Sequence, residues 1–524
     1  MAPADRLRPT RLIAYPVEWL TALAIGTAGA ALAVGAGSFK PMAAVVAAGA
    51  IPIMAIVVVR PRIGMLLLIF LFAFMEEFRG GLGDTNINNE EAKRSERLPF
   101  YSLTLGMPGL YIPDVLIGGL LGLYVVKMVL WREKPPLMLD RIGVALMMIA
   151  VSMFVSIVVS LMRIDPFGPQ VLDLSTLGSI KLPEKNVSDV ARYFPILHFK
   201  LFALLFPSYI LGMFYFRQER DVRQMLTVFG LAMIGTIGIA SYRLARDPGM
   251  IKRLVPIVFD TGSVTFMTMT VFYCLCMWAC GKYRPARTAV NGVLCSLLLF
   301  ILLSFRRTLW GASLFAGAML PLLIPPPARR RLLMFGALGA CVILIALGAT
   351  PPGQLILQSL VSRASETNLN QSSTLYRFAL LVWLVDRFDD LPLLGYGVLP
   401  LWDEIVRIRY FFISMENVHS LFLWVLLRTG FVGFLVWTFA IYLILTRIRD
   451  VYRILVDDRD RVVILVILLS IIMLLFNGIF NPVYANVRHI VPLGISLALI
   501  TRYPEIVKSM KNEGDSPAAG RSPT

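Results

Sequence analysis

Residues 416–445 read ENVHSLFLWVLLRTGFVGFLVWTFAIYLIL. From Leu421 onward the stretch is apolar for about 25 residues, enough to cross a ~30 Å hydrocarbon core as helix. Its one charge is Arg428. His419, one of only three histidines in the 524 residues, stands where a long polar segment meets this run. The same pattern recurs along the chain. Apolar runs of membrane-crossing length lie near 19–37, 41–59, 63–78, 111–131, 141–162, 194–216, 222–241, 263–281, 288–304, 308–324, 332–350, 420–445, 461–479 and 483–500. With 57% hydrophobic residues and a mean hydropathy of +0.73, the expectation is an all-α, polytopic integral membrane protein of roughly 12–14 transmembrane helices.

Charge orients these spans. With the N-terminus inside, the inner connections hold Arg60/Arg62, Arg132/Lys134/Arg141, Arg217/Arg220/Arg223, Lys282/Arg284/Arg287, Arg329/Arg330/Arg331 and Arg447 through Arg461. That bias is what membrane insertion selects, so the net charge of +17 reflects topology and does not indicate a nucleic-acid partner. Membrane lipids are the expected partner of the basic turns, because the inner leaflet is anionic. Arg6, Arg8 and Arg11 before the first run give it the look of a signal peptide, but the many later spans favour a retained first helix. All five cysteines (Cys274, Cys276, Cys280, Cys295 and Cys341) fall in apolar runs, with neither a disulfide nor a zinc spacing.

The outer connections are the long ones: 79–110, 163–193, 242–262 and 351–418. Loops of such length are usually functional or disordered. The last carries Trp383, Phe388, Leu393, Leu394, Tyr396 and Trp402, apolar material suited to a membrane surface. Its residues 374–390 have helical apolar spacing and are expected to form an interfacial amphipathic helix. Leu391-Pro392 and Gly395-Tyr396-Gly397 then mark a turn. The chain thus divides into N-terminal helices over 1–350, a large outer loop over 351–418, C-terminal helices over 419–503 and a disordered inner tail over 504–524.

Among side chains able to do chemistry, His419 is suited to general-base work near neutral pH. Glu416, three residues earlier, shares its face on a helical turn and is placed to orient the ring. The alternative is an interfacial histidine bonded to a carbonyl. Arg306-Arg307, within Ser304–Thr308, stand against the inner-positive trend. Guanidinium pairs suit a pyrophosphate, or they snorkel to lipid headgroups. Arg363, Arg377, Arg387, Arg407 and Arg409 stud the last outer loop, with Arg377 on the amphipathic segment.

Lys127, Lys200 and Arg428 lie inside apolar runs, where cations face a partner or an aqueous cavity. Lys127 is expected to snorkel, and His198 to pack. Arg428 lies about 13 Å deeper than His419 along a helix, either on a lipid-phosphate path or as a structural lock. No Walker loop, His-x-x-x-His pair or His/Cys cluster occurs, so neither a nucleotide nor a bound transition metal is indicated. Glu76-Glu77 and Asp389-Asp390 are the acidic pairs of the outer side.

The block from His419-Ser420 through Arg428, Gly430 and Gly433 resembles the signature of the O-antigen ligase and O-antigen polymerase superfamily, a His-Asn or His-Ser pair followed by leucines and Gly-x-x-Gly. Tyr376-Arg377, followed by Pro392-Leu393-Leu394-Gly395-Tyr396-Gly397, is similar to the family's upstream stretch, and Ser304–Thr308 to its Ser-Arg segment. Ser420 replaces the commoner Asn, and two arginines stand where the family has one. The resemblance implies metal-independent glycan transfer without a cofactor, at the periplasmic face of a bacterial inner membrane with both termini cytoplasmic. The implied donor is an undecaprenyl-diphosphate-linked saccharide, and the acceptor a glycan or lipid A-core hydroxyl. In that reading His419 is the base, assisted by Glu416, while Arg306 or Arg307 with Arg377 and Arg428 bind the substrate. Two other readings compete: a metal-dependent polyprenyl-phosphate glycosyltransferase using Glu76-Glu77, and a lipid-linked glycan flippase or transporter.

Overall fold

The computed structural model describes residues 60–74, 112–131, 140–163, 204–246, 261–279, 287–304, 306–365, 382, 385, 388–389, 391–397, 405–408, 411–414, 420–481 and 487–514. Among the described residues ten helices run up to Ser365: α1 (Pro61–Phe74), α2 (Ile112–Trp131), α3 (Arg141–Arg163), α4 (Leu205–Tyr215), α5 (Glu219–Arg246), α6 (Thr261–Ala279), α7 (Arg287–Leu302), α8 (Arg307–Leu323), α9 (Pro326–Ala349) and α10 (Pro351–Ser365). A short antiparallel hairpin, β1 (Ile405–Ile408) with β2 (Phe411–Ser414), pairs Ile405 with Ser414 and Ile408 with Phe411. Three helices follow: α11 (Leu421–Ile454), α12 (Asp458–Phe480) and α13 (Val487–Gly514). Among the described residues, α3, α5, α11, α12 and α13 contain segments long and apolar enough to cross a membrane, and α1, α2, α4 and α6 supply shorter apolar helices. The chain is a helical, polytopic membrane protein.

Every expected span from 63–78 onward overlaps a helix within the described residues, while 19–37 and 41–59 lie outside them. Three features differ from expectation. The first part of the 351–418 connection is helical, because Thr350 caps α10, accepting from the Gly353 N–H at 3.2 Å, and Pro351 supplies the preset first-turn geometry. Leu355, Ile356 and Leu360 of α10 then pack on the core. The tail expected to be disordered from 504 instead continues α13 to Gly514, since Tyr503, Ile506 and Val507 are buried. The hairpin adds two strands to a fold read as all helical. The amphipathic segment 374–390 lies largely outside the described residues; within it Val382 and Val385 are helical and exposed.

Packing is densest between α4 and α13, α3 and α11, α8 and α12, and α1 and α5. Helix association in lipid depends on close contact, which small residues permit. A Cβ on Gly212 would stand 2.6 Å from the Ala498 Cβ, and one on Gly494 would stand 2.6 Å from the Leu205 carbonyl oxygen, so α4 and α13 meet through glycines.

Polar contacts separate the two ends of the bundle. Arg141 pairs with Asp450 at 2.8 Å, Arg62 with Asp221 at 3.4 Å and Arg447 with Asp140 at 3.4 Å. Asp140 also accepts from the Tyr209 hydroxyl at 2.9 Å, the Thr501 hydroxyl at 2.8 Å and the Gly143 N–H at 2.9 Å. The three ion pairs each join connections assigned to the inner side from charge. At the opposite end the Asn481 amide donates to the Thr308 hydroxyl at 2.8 Å, joining two connections assigned to the outer side. The alternation of sides is internally consistent.

Candidate active site

The end of the bundle opposite the ion pairs is organised around a break in α11. Gly430 adopts φ 67° and ψ −172°, a region essentially confined to glycine, so the helix stops and restarts there. Broken backbone inside a membrane protein needs new hydrogen-bond partners. The loop 391–397 supplies them. The Tyr396 N–H donates to the Leu427 carbonyl at 2.8 Å and the Gly397 N–H to the Arg428 carbonyl at 3.1 Å, while the Val432 N–H donates to the Leu393 carbonyl at 3.2 Å. In an unbroken helix the Leu427 and Arg428 carbonyls would have accepted from Phe431 and Val432. The loop and the helix thus exchange bonds, and a segment expected wholly outside dips to the depth of Arg428.

Glycine is required where the two backbones meet. Gly395 and Gly397 have φ of 75° and 84°. A Cβ on Gly395 would stand 2.7 Å from the Arg428 carbonyl, and one on Gly397 would stand 2.8 Å from the Ser160 nitrogen. Helix α3 forms the floor with serines spaced four apart. The Ser152 hydroxyl accepts from the Trp437 indole N–H at 2.9 Å, Ser156 donates to the Arg428 carbonyl at 2.8 Å, and Ser160 lies against Gly397. This stripe was visible in the sequence as Ser-x-x-x-Ser-x-x-x-Ser within an apolar run.

Arg428 is buried, 4% exposed, and its Nη1 donates to the Gly397 carbonyl at 3.4 Å. It occupies the last turn of the segment that ends at Gly430, where a cation complements the negative end of the helix. The site therefore holds a fixed positive charge directly under the loop.

Arg306 and Arg307 are half-buried at the start of α8. Arg306 is the extended residue before the helix, and its carbonyl accepts from the N–H groups of Leu309 and Trp310, each at 3.0 Å. The Trp310 indole donates to the Ile301 carbonyl at 2.9 Å, tying the turn to the end of α7. Two guanidinium groups and the positive end of a helix dipole coincide here. Helix α12 connects this turn to the start of α11. Asn481, just past its last residue, binds Thr308 and the Asn477 side-chain oxygen, the latter at 2.8 Å, and a Cβ on Gly478 would touch the Leu421 side chain at 3.1 Å. Ser420, whose hydroxyl accepts from the Leu423 N–H at 3.5 Å, begins α11 beside that contact.

The structure therefore joins the Gly395–Gly397 loop to Arg428, and links the Arg306-Arg307 turn through α12 to the start of α11, the helix that follows His419. His419, Glu416 and Arg377 lie outside the described residues, as do Glu76, Glu77, His198 and Lys200. Among the described residues, no three His, Cys, Asp or Glu side chains gather as a metal site. Not anticipated from the sequence are Asn477, Asn481 and His489. His489 is buried at the start of α13, with its Nε2 3.2 Å from the Thr265 hydroxyl oxygen. Its signal was a histidine in an apolar run at the outer end.

The fold defines a multi-pass membrane protein, and one end of its bundle carries a kinked helix, a docked loop and paired arginines. Residues 292–438 match a family model described as O-Antigen ligase, a stretch that contains Arg306, Arg307, the docked loop, His419 and Arg428. No curated protein and no solved structure matches the chain.

Proposed function

We propose that the chain transfers a glycan from an undecaprenyl-diphosphate-linked donor to a sugar hydroxyl, on the periplasmic face of a bacterial inner membrane. His419 removes the proton from the acceptor hydroxyl, whose oxygen bonds to the anomeric carbon as the bond from that carbon to the diphosphate breaks. Glu416 orients the imidazole and stabilises it once protonated. Arg306, Arg307 and Arg377 hold the leaving diphosphate, whose charge rises in the transition state. Arg428 holds the loop beneath it and adds positive potential. No metal is required.

One observation supports this reading above the others: the matched stretch contains both the arginine turn and the start of α11, which flank the same end of α12. A polymerase and a ligase share this chemistry and differ in acceptor, a growing glycan or a lipid A-core. The test is complementation of a surface-polysaccharide mutant by the wild-type chain and by Arg306→Ala, Arg307→Ala and Arg377→Ala. Restoration by the wild type alone supports the reading, and full restoration by all three variants contradicts it. In the recipient, loss of long chains with a single repeat retained marks a polymerase, and accumulation of free lipid-linked polymer marks a ligase.

A further inference from the structure

A polar cavity lies at the opposite end of the bundle from the proposed site. It has a volume of about 560 Å³ and lies between the start of α1, the inner end of α2, the end of α4 and the start of α5. Arg60, Arg62, Lys127, Arg217 and Arg220 all line it. Beside it the buried Asp221 pairs with Arg62 at 3.4 Å and caps α5 by accepting from the Arg217 and Gln218 N–H groups at 3.0 Å. Five cationic side chains in the lining favour an anionic occupant. The Arg217 guanidinium lies 4.7 Å from the centre of the Phe214 ring, and its Nε donates to the Phe214 carbonyl at 2.8 Å, so it is held in place.

The remaining lining is amphiphilic. Ile63, Leu66, Phe214 and Tyr215 form an apolar wall beside the cations, and Ile63 is 39% exposed toward the surroundings of the bundle. Arginines and a lysine converging beside an apolar wall at helix ends fit a phosphodiester headgroup with acyl chains, better than a freely soluble anion. We propose that this cavity binds the phosphate headgroup of an anionic phospholipid of the cytoplasmic leaflet. The cavity belongs to helices outside the matched domain, so the proposal does not depend on the transfer reaction.

The test uses the full chain purified in detergent. Binding of diphosphatidylglycerol, phosphatidylglycerol and phosphatidylcholine is measured by native mass spectrometry, with inorganic phosphate and pyrophosphate as soluble competitors. The cavity variant is Arg60→Gln with Arg220→Gln, and the control is Arg330→Gln with Arg331→Gln, an equal charge change in another basic turn. Each cation near an anionic headgroup contributes about fivefold in affinity, so the cavity pair is expected to weaken anionic-lipid binding by about 25-fold. The control pair leaves it within about twofold, and phosphatidylcholine binds poorly throughout. Equal losses in the two variants, binding of phosphatidylcholine as tight as the anionic lipids, or displacement of lipid by millimolar inorganic phosphate would each overturn the proposal. Size-exclusion elution at the wild-type volume verifies that the cavity variant is folded.

Discussion

Gly395 and Gly430 meet backbone to backbone: a Cβ on either residue would collide with the other's nitrogen. One belongs to a loop and the other to a membrane-depth helix, yet neither conformation is available without its neighbour. The kink frees the Leu427 and Arg428 carbonyls, and the loop satisfies them. Docking the loop and breaking the helix are one structural event.

Gly430→Ala is therefore expected to be among the most damaging conservative changes in the chain. The backbone region at Gly430 costs about 1–3 kcal/mol for an alanine. The added Cβ would also stand 2.5 Å from the Leu393 carbonyl carbon. Thermal unfolding in detergent should show a lowered midpoint, and complementation should fail. A neighbouring Gly311→Ala, whose Cβ meets only Phe476 at 3.8 Å, should leave both unchanged.

Ser156→Ala removes one hydrogen bond to the Arg428 carbonyl and leaves the Gly397 N–H bond in place. The expected loss is about 1 kcal/mol. A modest fall in midpoint with activity largely retained would fit. A collapse as severe as that of Gly430→Ala would show that α3, not the loop, is what satisfies the kink.

The link between Asn481 and Thr308 is expected to position the arginine turn relative to the start of α11. Asn481→Ala and Thr308→Val should each raise the donor KM more than they lower kcat. The double variant should be no worse than the more severe single one, since both remove the same contact. Additive losses in a steady-state double-mutant cycle would remove this bridge from the account.

At the inner end, Asp140 accepts from Tyr209, Thr501 and Gly143 and pairs with Arg447, joining α3, α4, α11 and α13. Asp140→Ala leaves several buried donors and a cation without their acceptor, at a cost of about 3 kcal/mol. Lower yield and a lower unfolding midpoint should follow, while the specific activity of the surviving fraction stays near wild type. A selective loss of activity at unchanged stability would be the contrary result.

The spans were legible because hydropathy and length report directly on the bilayer, and charge then oriented them. The Arg306-Arg307 turn stood out because it ran against that charge trend. The kink at Gly430 was not legible, since Arg-Thr-Gly-Phe-Val-Gly inside an apolar run reads as continuous helix. What breaks it is a loop whose own residues signal only a turn. The bond exchange between Leu393–Gly397 and Leu427–Val432 is a tertiary fact with no local pattern. Helix α10 could have been found from Thr350-Pro351, a cap followed by a first-turn proline, but the length of the outer connection concealed it. Asn477 and Asn481 passed as polar residues at a span end, and only their contacts single them out.

The central claim is that the imidazole of residue 419 acts as a general base. It is tested most directly by single-turnover transfer from a purified lipid-diphosphate donor to its acceptor, comparing the wild-type chain with His419→Ala. Loss of a positioned base predicts a fall of about 10²–10⁴-fold in the transfer rate, with donor binding unchanged and chelator without effect on the wild type. A variant that transfers at the wild-type rate would contradict the account.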